Sequence, residues 1–203
     1  MTTGGMPLGN TYFLMRHGES EANAARLIVS DPSVGVERYG LTEKGRADVL
    51  ESAARFRSRY GIDIIYSSDF LRAMETARIA ADVLGVAEVR GTEYLRERYF
   101  GDLEASDNEN YKMIWELDAD DPDHHAHGVE SPRDVGSRVI EFLARCEEER
   151  AGETVLVVAH GDILQILYCA ANGIPVRRHR SIESIRKAEI RPLLESGHSA
   201  GFM

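Results

Sequence analysis

Two segments of this 203-residue chain run a continuous hydrophobic strand straight into a His-Gly turn, and they constrain its fold more than any other feature. TYFLM at 11–15 leads into Arg16-His17-Gly18, and TVLVVA at 154–159 leads into His160-Gly161. An apolar run without polar alternation is the pattern of a strand covered on both faces, as in parallel sheets between helical layers. In open sheets of that kind ligands bind beyond the carboxyl ends of the strands. Both histidines fall on that edge, where strand gives way to helix.

The intervening sequence supports the same architecture. A capping Thr42 opens a helix expected over 42–60, with Ala47, Leu50 and Ala54 on its apolar face. A second strand is expected over 62–66 and a helix over 69–84, stopped by Gly85. A third strand is expected over 86–90. Residues 91–130 are the least regular part, with a helix expected near 108–117 and then the acidic loop DADDPDHHAHG. Ser131-Pro132 is a strong helix start, followed by the apolar stripe Val135, Val139, Phe142, Leu143 and Cys146. A helix over 163–171 and a last strand over about 187–194 complete the pattern. The alternation predicts an α/β protein: a three-layer α/β/α sandwich with a mostly parallel central sheet. Length predicts one domain over 1–203, with its core at about 10–195 and frayed ends.

Charge restricts the partners. Twenty-four basic against 34 acidic side chains leave a formal net charge of −10. That balance argues against nucleic acid and against anionic membranes, and it requires a local positive pocket for any anionic substrate. Cys146 and Cys169 both lie in apolar helical patterns, so buried free thiols in a reducing, cytoplasmic setting are expected. MTTGGMPLGN has no basic stretch followed by an apolar one, so no signal peptide is expected. The run 163–176 is too short and polar to span a bilayer.

A phosphate ester suits the edge these residues form. Arg16 offers a planar guanidinium able to hold two oxygens. Arg72 lies in the first turn of the helix after the second strand, where free N–H groups favour anions. His160 and the Gly161 amide add donors from the fourth strand. His17, whose imidazole ordinarily titrates near 6.5, is substantially neutral at neutral pH and can attack phosphorus. Glu97, in YLRERYFGDLE, is the candidate acid. A nearby dianion would raise its pKa, letting it protonate the leaving oxygen and later deprotonate water.

Arg16-His17-Gly18, Asn23, LTEKGR at 41–46, SSDFLRAMETA at 67–77, RERYFGDLE at 96–104, GVES at 128–131 and AHGD at 159–162 occur in one order. This set resembles the histidine phosphatase superfamily, the phosphoglycerate-mutase-like proteins, over residues 10–195. The resemblance implies that His17 is phosphorylated, that Arg16, Arg72 and His160 form the phosphate pocket, and that Asn23 bonds a phosphate oxygen. It implies that Glu97 is the acid/base, with no metal and no organic cofactor. The expected activity is hydrolysis of a small phosphorylated molecule, by a monomer or a homodimer. Ala22, where many relatives carry a bulky aromatic, and a long 28–40 loop depart from the pattern and bear on substrate identity.

The main alternative is a cofactor-dependent phosphoglycerate mutase. The 63 positions from Glu97 to His160 are fewer than mutases with a long enclosing insertion carry, which favours water as the acceptor. A phospho-ligand binding module would lack turnover. A metallophosphatase would use the 118–128 loop, where Asp120, Asp121, Asp123, His124, His125 and His127 are possible ligands. Pro122 and Gly128 favour irregular, solvated backbone instead. Asn23 and Ser131 also read as helix caps, and RERYFGDLE as a solvated face.

Overall fold

Strands whose two faces are both apolar need a layer on each side, and the computed structural model, which describes residues 8–194, supplies them. β1 (Thr11–Arg16) is followed by two short helices, α1 (Glu21–Ala24) and α2 (Pro32–Gly35), and by α3 (Glu43–Arg57). Then come β2 (Ile64–Ser68), α4 (Leu71–Leu84), β3 (Val89–Thr92), α5 (Tyr111–Asp120), α6 (Pro132–Glu149), β4 (Thr154–Ala159), α7 (Gly161–Ala171) and β5 (Ile190–Pro192). These strands form one sheet in the order β3-β2-β4-β1-β5. All pairs are parallel except β1 with β5.

Strand periodicity divides the core in two. Tyr12, Leu14, Ile64, Tyr66, Val155 and Val157 face α6 and α7, whereas Phe13, Met15, Ile65, Leu156 and Val158 face α3 and α4. Each large apolar side chain so buried contributes about 1.5–3 kcal/mol. The fully apolar β4 sits at the centre, between β2 and β1.

Several expectations shift. α3 turns Gly45, Val49, Ala53 and Phe56 inward and leaves Leu50 about half exposed. The face expected from Ala47, Leu50 and Ala54 is therefore wrong. The cause is a backbone approach: a Cβ on Gly45 would stand 2.1 Å from the Glu19 oxygen, so only glycine lets α3 lie against the turn after His17. β2 continues to Ser68, because Ser67 and Ser68 pair with Gly91 and Thr92, and α4 consequently begins at Leu71. β3 is displaced to Val89–Thr92 by the same pairing. The expected last strand shrinks to three antiparallel residues at the sheet edge. α1 and α2 are additional, held by the short caps Ser20 and Asp31. α5 starts later than expected, after a 3-10 turn at Asn108–Asn110. α6 keeps its Ser131 capping box and its whole apolar stripe. Both cysteines are buried free thiols. Among the described residues no helix is long and apolar enough to cross a membrane. The expectations for the tail after Glu195 and for residues 1–7 lie outside the described residues.

Candidate active site

Parallel pairing aligns Arg16 with Ala159, so the residues that follow, His17 and His160, leave neighbouring strand ends together. Their rings stand 5.2 Å apart, edge to face. Arg72, in the first turn of α4, donates from Nε to His17 Nε2 at 3.3 Å and from Nη2 to the Val29 carbonyl at 3.0 Å. Glu97 lies on the irregular segment after β3. Its Oε2 is 3.8 Å from Arg72 Nη2 and 3.7 Å from His160 Nδ1. Arg16 donates from Nη1 to the Ile185 carbonyl at 3.1 Å. Gly161 opens α7 beside it, where a Cβ would stand 3.3 Å from the Arg16 guanidinium carbon. Arg16, His17, Asn23, Arg72, Glu97 and Gly161 all line one cavity of about 330 Å³. His160 lies fully buried beneath that lining.

Three buried nitrogens at this place have no protein partner: Arg16 Nε, Arg72 Nη1 and His160 Nδ1. An unsatisfied buried polar group costs about 1–3 kcal/mol, so a cluster of them marks a place built for a ligand. Two belong to guanidinium groups, and the amino end of α7 adds free backbone N–H groups. The site therefore suits a tetrahedral anion.

The neighbours also set the protonation states. His17 donates from Nδ1 to the Gly18 carbonyl at 2.7 Å, so its lone pair is on Nε2. Burial, then the charges of Arg72 and Arg16, hold its pKa well below the ordinary value of 6.5. Burial likewise holds His160 low, with Arg72 adding to the effect. Glu97 moves the other way. Burial raises it from 4.5 to about 7, against the pull of Arg72. A bound dianion is not needed for this shift: in the folded chain burial alone suffices, and the surrounding run is not a solvated face at this residue.

A second polar layer fixes the wall that carries Glu97. Arg98 is fully buried and grips Asp118 with two bonds, of 2.6 and 2.7 Å. Asp118 also accepts from His124 Nε2 at 2.7 Å. Asp162 accepts from Trp115 Nε1 at 3.0 Å and from Arg180 at 3.0 Å, and Arg180 lies 3.7 Å over the Trp115 ring. This ties α5 and the segment after α7 across the cavity. Asn23 lines the cavity while its Oδ1 accepts the Ser20 N–H in a capping box, which leaves only its amide N–H groups for a ligand. In the acidic loop, Asp123 pairs with Arg133, His124 with Asp118, and His125 bonds the Val129 carbonyl. These side chains are engaged individually, and among the described residues no group of three could hold a metal ion.

The family model for the histidine phosphatase superfamily, branch 1, matches residues 12–198. The chain belongs to the histidine phosphatase superfamily. A 2,3-bisphosphoglycerate-dependent phosphoglycerate mutase from Brucella anthropi is 32% identical over 180 residues, covering 82% of this chain and 84% of that protein. Phosphoglycerate mutase-like protein 4 of Arabidopsis thaliana is 35% identical over 165 residues, covering 76% and 68%. Among solved structures, a mycobacterial glucosyl-3-phosphoglycerate phosphatase superposes with a TM-score of 0.72 at 25% identity, covering 89% and 87%. The fold is that of this superfamily.

For this superfamily member, structure brings together every site residue that the sequence nominated, though His160 lies below the cavity surface. Sequence reading missed Val29, Tyr111, Trp115 and Arg180, which line the same cavity, and Ser68, whose hydroxyl lies 2.9 Å from His160 Nε2. Ser68 lay inside the SSDFLRAMETA motif, but beyond the strand expected over 62–66, so nothing in the sequence set it against His160. The others had no signal short of the tertiary fold.

Proposed function

We propose that this histidine phosphatase superfamily member hydrolyses phosphomonoesters through a covalent phosphohistidine at His17. The observation that carries the reading is the cluster of partnerless buried nitrogens from Arg16, Arg72 and His160 around a neutral imidazole. Arg16, Arg72, Asn23, the Gly161 amide and His160 hold the phosphoryl oxygens. The His17 Nε2 lone pair forms the N–P bond as the ester P–O bond breaks. The Glu97 carboxyl gives its proton to the departing oxygen. Water then attacks phosphorus and loses a proton to Glu97, the N–P bond breaks, and inorganic phosphate leaves. The Arg72 N–H that rests on Nε2 must turn to the phosphoryl oxygens for attack, where it offsets the charge of the transition state.

Phosphoglycerate mutase activity is the second reading, favoured by the identity to the Brucella enzyme. A mutase must retain a bisphosphorylated, strongly anionic intermediate. Outside the phosphate cup the cavity's cations are already paired, Lys112 with Glu109 and Arg180 with Asp162. That pairing supports water as the acceptor. The test is rapid quench under alkaline conditions with mass spectrometry of the His17 peptide, alongside incubation with 3-phosphoglycerate and trace 2,3-bisphosphoglycerate. A phosphoryl group on His17 and net phosphate release are expected. Near wild-type hydrolysis by His17→Ala would overturn the mechanism, and faster formation of 2-phosphoglycerate than of phosphate would make the protein a mutase. Chelators are expected to leave turnover unchanged.

A further inference from the structure

Ser68 ends β2 and is fully buried, on the strand next to β4. Its Oγ is 2.9 Å from His160 Nε2 and accepts the Phe70 backbone N–H at 3.2 Å. A serine hydroxyl has one proton to give. Among the described residues the His160 nitrogen is the one acceptor in reach of it. We infer that Ser68 is a positioning residue that fixes His160 in the tautomer protonated at Nδ1, so that this N–H serves as a phosphoryl-oxygen donor in the reaction proposed above. The orientation is consistent with the rest of the site. Nδ1 is buried, has no protein partner and faces Glu97 Oε2 at 3.7 Å. The opposite tautomer would place a bare lone pair against the phosphoryl oxygens. Phe70 packs edge to face on the same ring, 5.3 Å away, and blocks its rotation. Burial with nearby Arg72 keeps the ring neutral, so tautomer choice decides what it presents.

The inference rests on the phosphatase reading but fails separately from it. The direct measurement is the nitrogen-15 spectrum of histidine-labelled full-length protein above pH 7, with His160 assigned by the loss of its signals in His160→Asn. The expected pattern is a protonated Nδ1 and an unprotonated Nε2. Ser68→Ala should mix or reverse the tautomers and lower kcat/KM about tenfold, the loss of one hydrogen bond's worth of orientation. The inhibition constant of inorganic phosphate should rise in parallel, and Ser68→Thr should restore the tautomer and most of the activity. A wild-type ring protonated at Nε2 overturns the assignment, and so does an activity loss in Ser68→Ala with the tautomer unchanged. If Ser68→Ala does not fold, the wild-type spectrum decides alone. Either negative result in an enzyme still dependent on His17 sinks this inference and leaves the phosphohistidine reading standing.

Discussion

The turn after β1 and the turn after β4 carry the same two residues, His-Gly, at adjacent strand ends, yet they present different chemistry. At His17 the proton is drawn to Nδ1 by the carbonyl of Gly18, and Nε2 is left as a lone pair under Arg72. At His160 the neighbour is a serine hydroxyl on another strand, and Nδ1 is left facing Glu97. In the proposed mechanism the first ring attacks and the second donates. The difference lies in which partner each ring nitrogen meets, and that partner is supplied locally in one case and across the sheet in the other. Backbone supports differ as well. The Gly18 N–H bonds Thr76 Oγ1 at 3.1 Å, which fixes the first turn to α4. The second turn is the amino end of α7 itself.

The largest expected effect breaks the symmetry outright. His17→Ala removes the proposed nucleophile and should lower kcat/KM for p-nitrophenyl phosphate by at least about 10⁴-fold, with no phosphoenzyme in rapid quench. His160→Ala removes one donor to the phosphoryl group, and a loss of about 10²–10³-fold is expected, with phosphoenzyme still trapped. Equal losses, or trapping in the first variant and not the second, would exchange the two roles.

Glu97 sharpens the comparison because it faces the second ring and, in the proposed mechanism, serves the first. That mechanism needs its carboxyl protonated to release the leaving group, and its pKa is raised to about 7. Activity toward alkyl phosphates should therefore fall as pH rises through about 7. No matching acid limb from His17 is expected near pH 6.5, since that ring stays neutral to well below it. Glu97→Gln should abolish the alkaline limb and lower kcat about 10²-fold for alkyl esters, with a smaller loss for p-nitrophenyl phosphate, whose leaving group needs no proton. Stability changes with the opposite benefit. The folded state holds this proton more tightly than the unfolded chain does, so the wild type loses stability as pH rises from about 4.5 to about 7. At pH 8 the deficit reaches about 3 kcal/mol, and Glu97→Gln should recover it as a higher melting temperature. A melting temperature unchanged at pH 8 would mean that Glu97 is not held in a desolvated site.

The sheet was legible because its strands need apolar residues on both faces, and few other structures accept TVLVVA. His17, Arg16 and Arg72 were legible because strand ends and a helix start place them on one edge. The inward face of α3 was not, because it is chosen by the fit of Gly45 against Glu19, a contact between segments that hydrophobic spacing cannot register. The pKa of Glu97 was assigned the right direction for an incomplete reason, since burial is decided by the fold around it. Arg98 read as a charge in a polar run, and its buried pairing with Asp118 depends on α5 folding back over the segment after β3. Ser68 gave no sign of its bond to His160, because neighbouring strands in the sheet are far apart in the chain.

The smallest effect tests whether the first turn is held by backbone alone. Thr76 Oγ1 accepts the Gly18 N–H and donates to the Arg72 carbonyl, so one hydroxyl links the residue after His17 to the helix carrying Arg72. Thr76→Val keeps the shape and leaves a buried N–H unsatisfied, at a cost of about 1–3 kcal/mol in stability. Because the tautomer of His17 is set by the Gly18 carbonyl and not by Thr76, the nitrogen-15 signature of His17 should not change. Turnover should fall only a few-fold, through a looser approach of Nε2 to phosphorus, and Thr76→Ser should recover it. A shift of the His17 tautomer in Thr76→Val would show that the first turn, like the second, takes its chemistry from a side chain on another element, and the contrast between the two turns would then be one of degree.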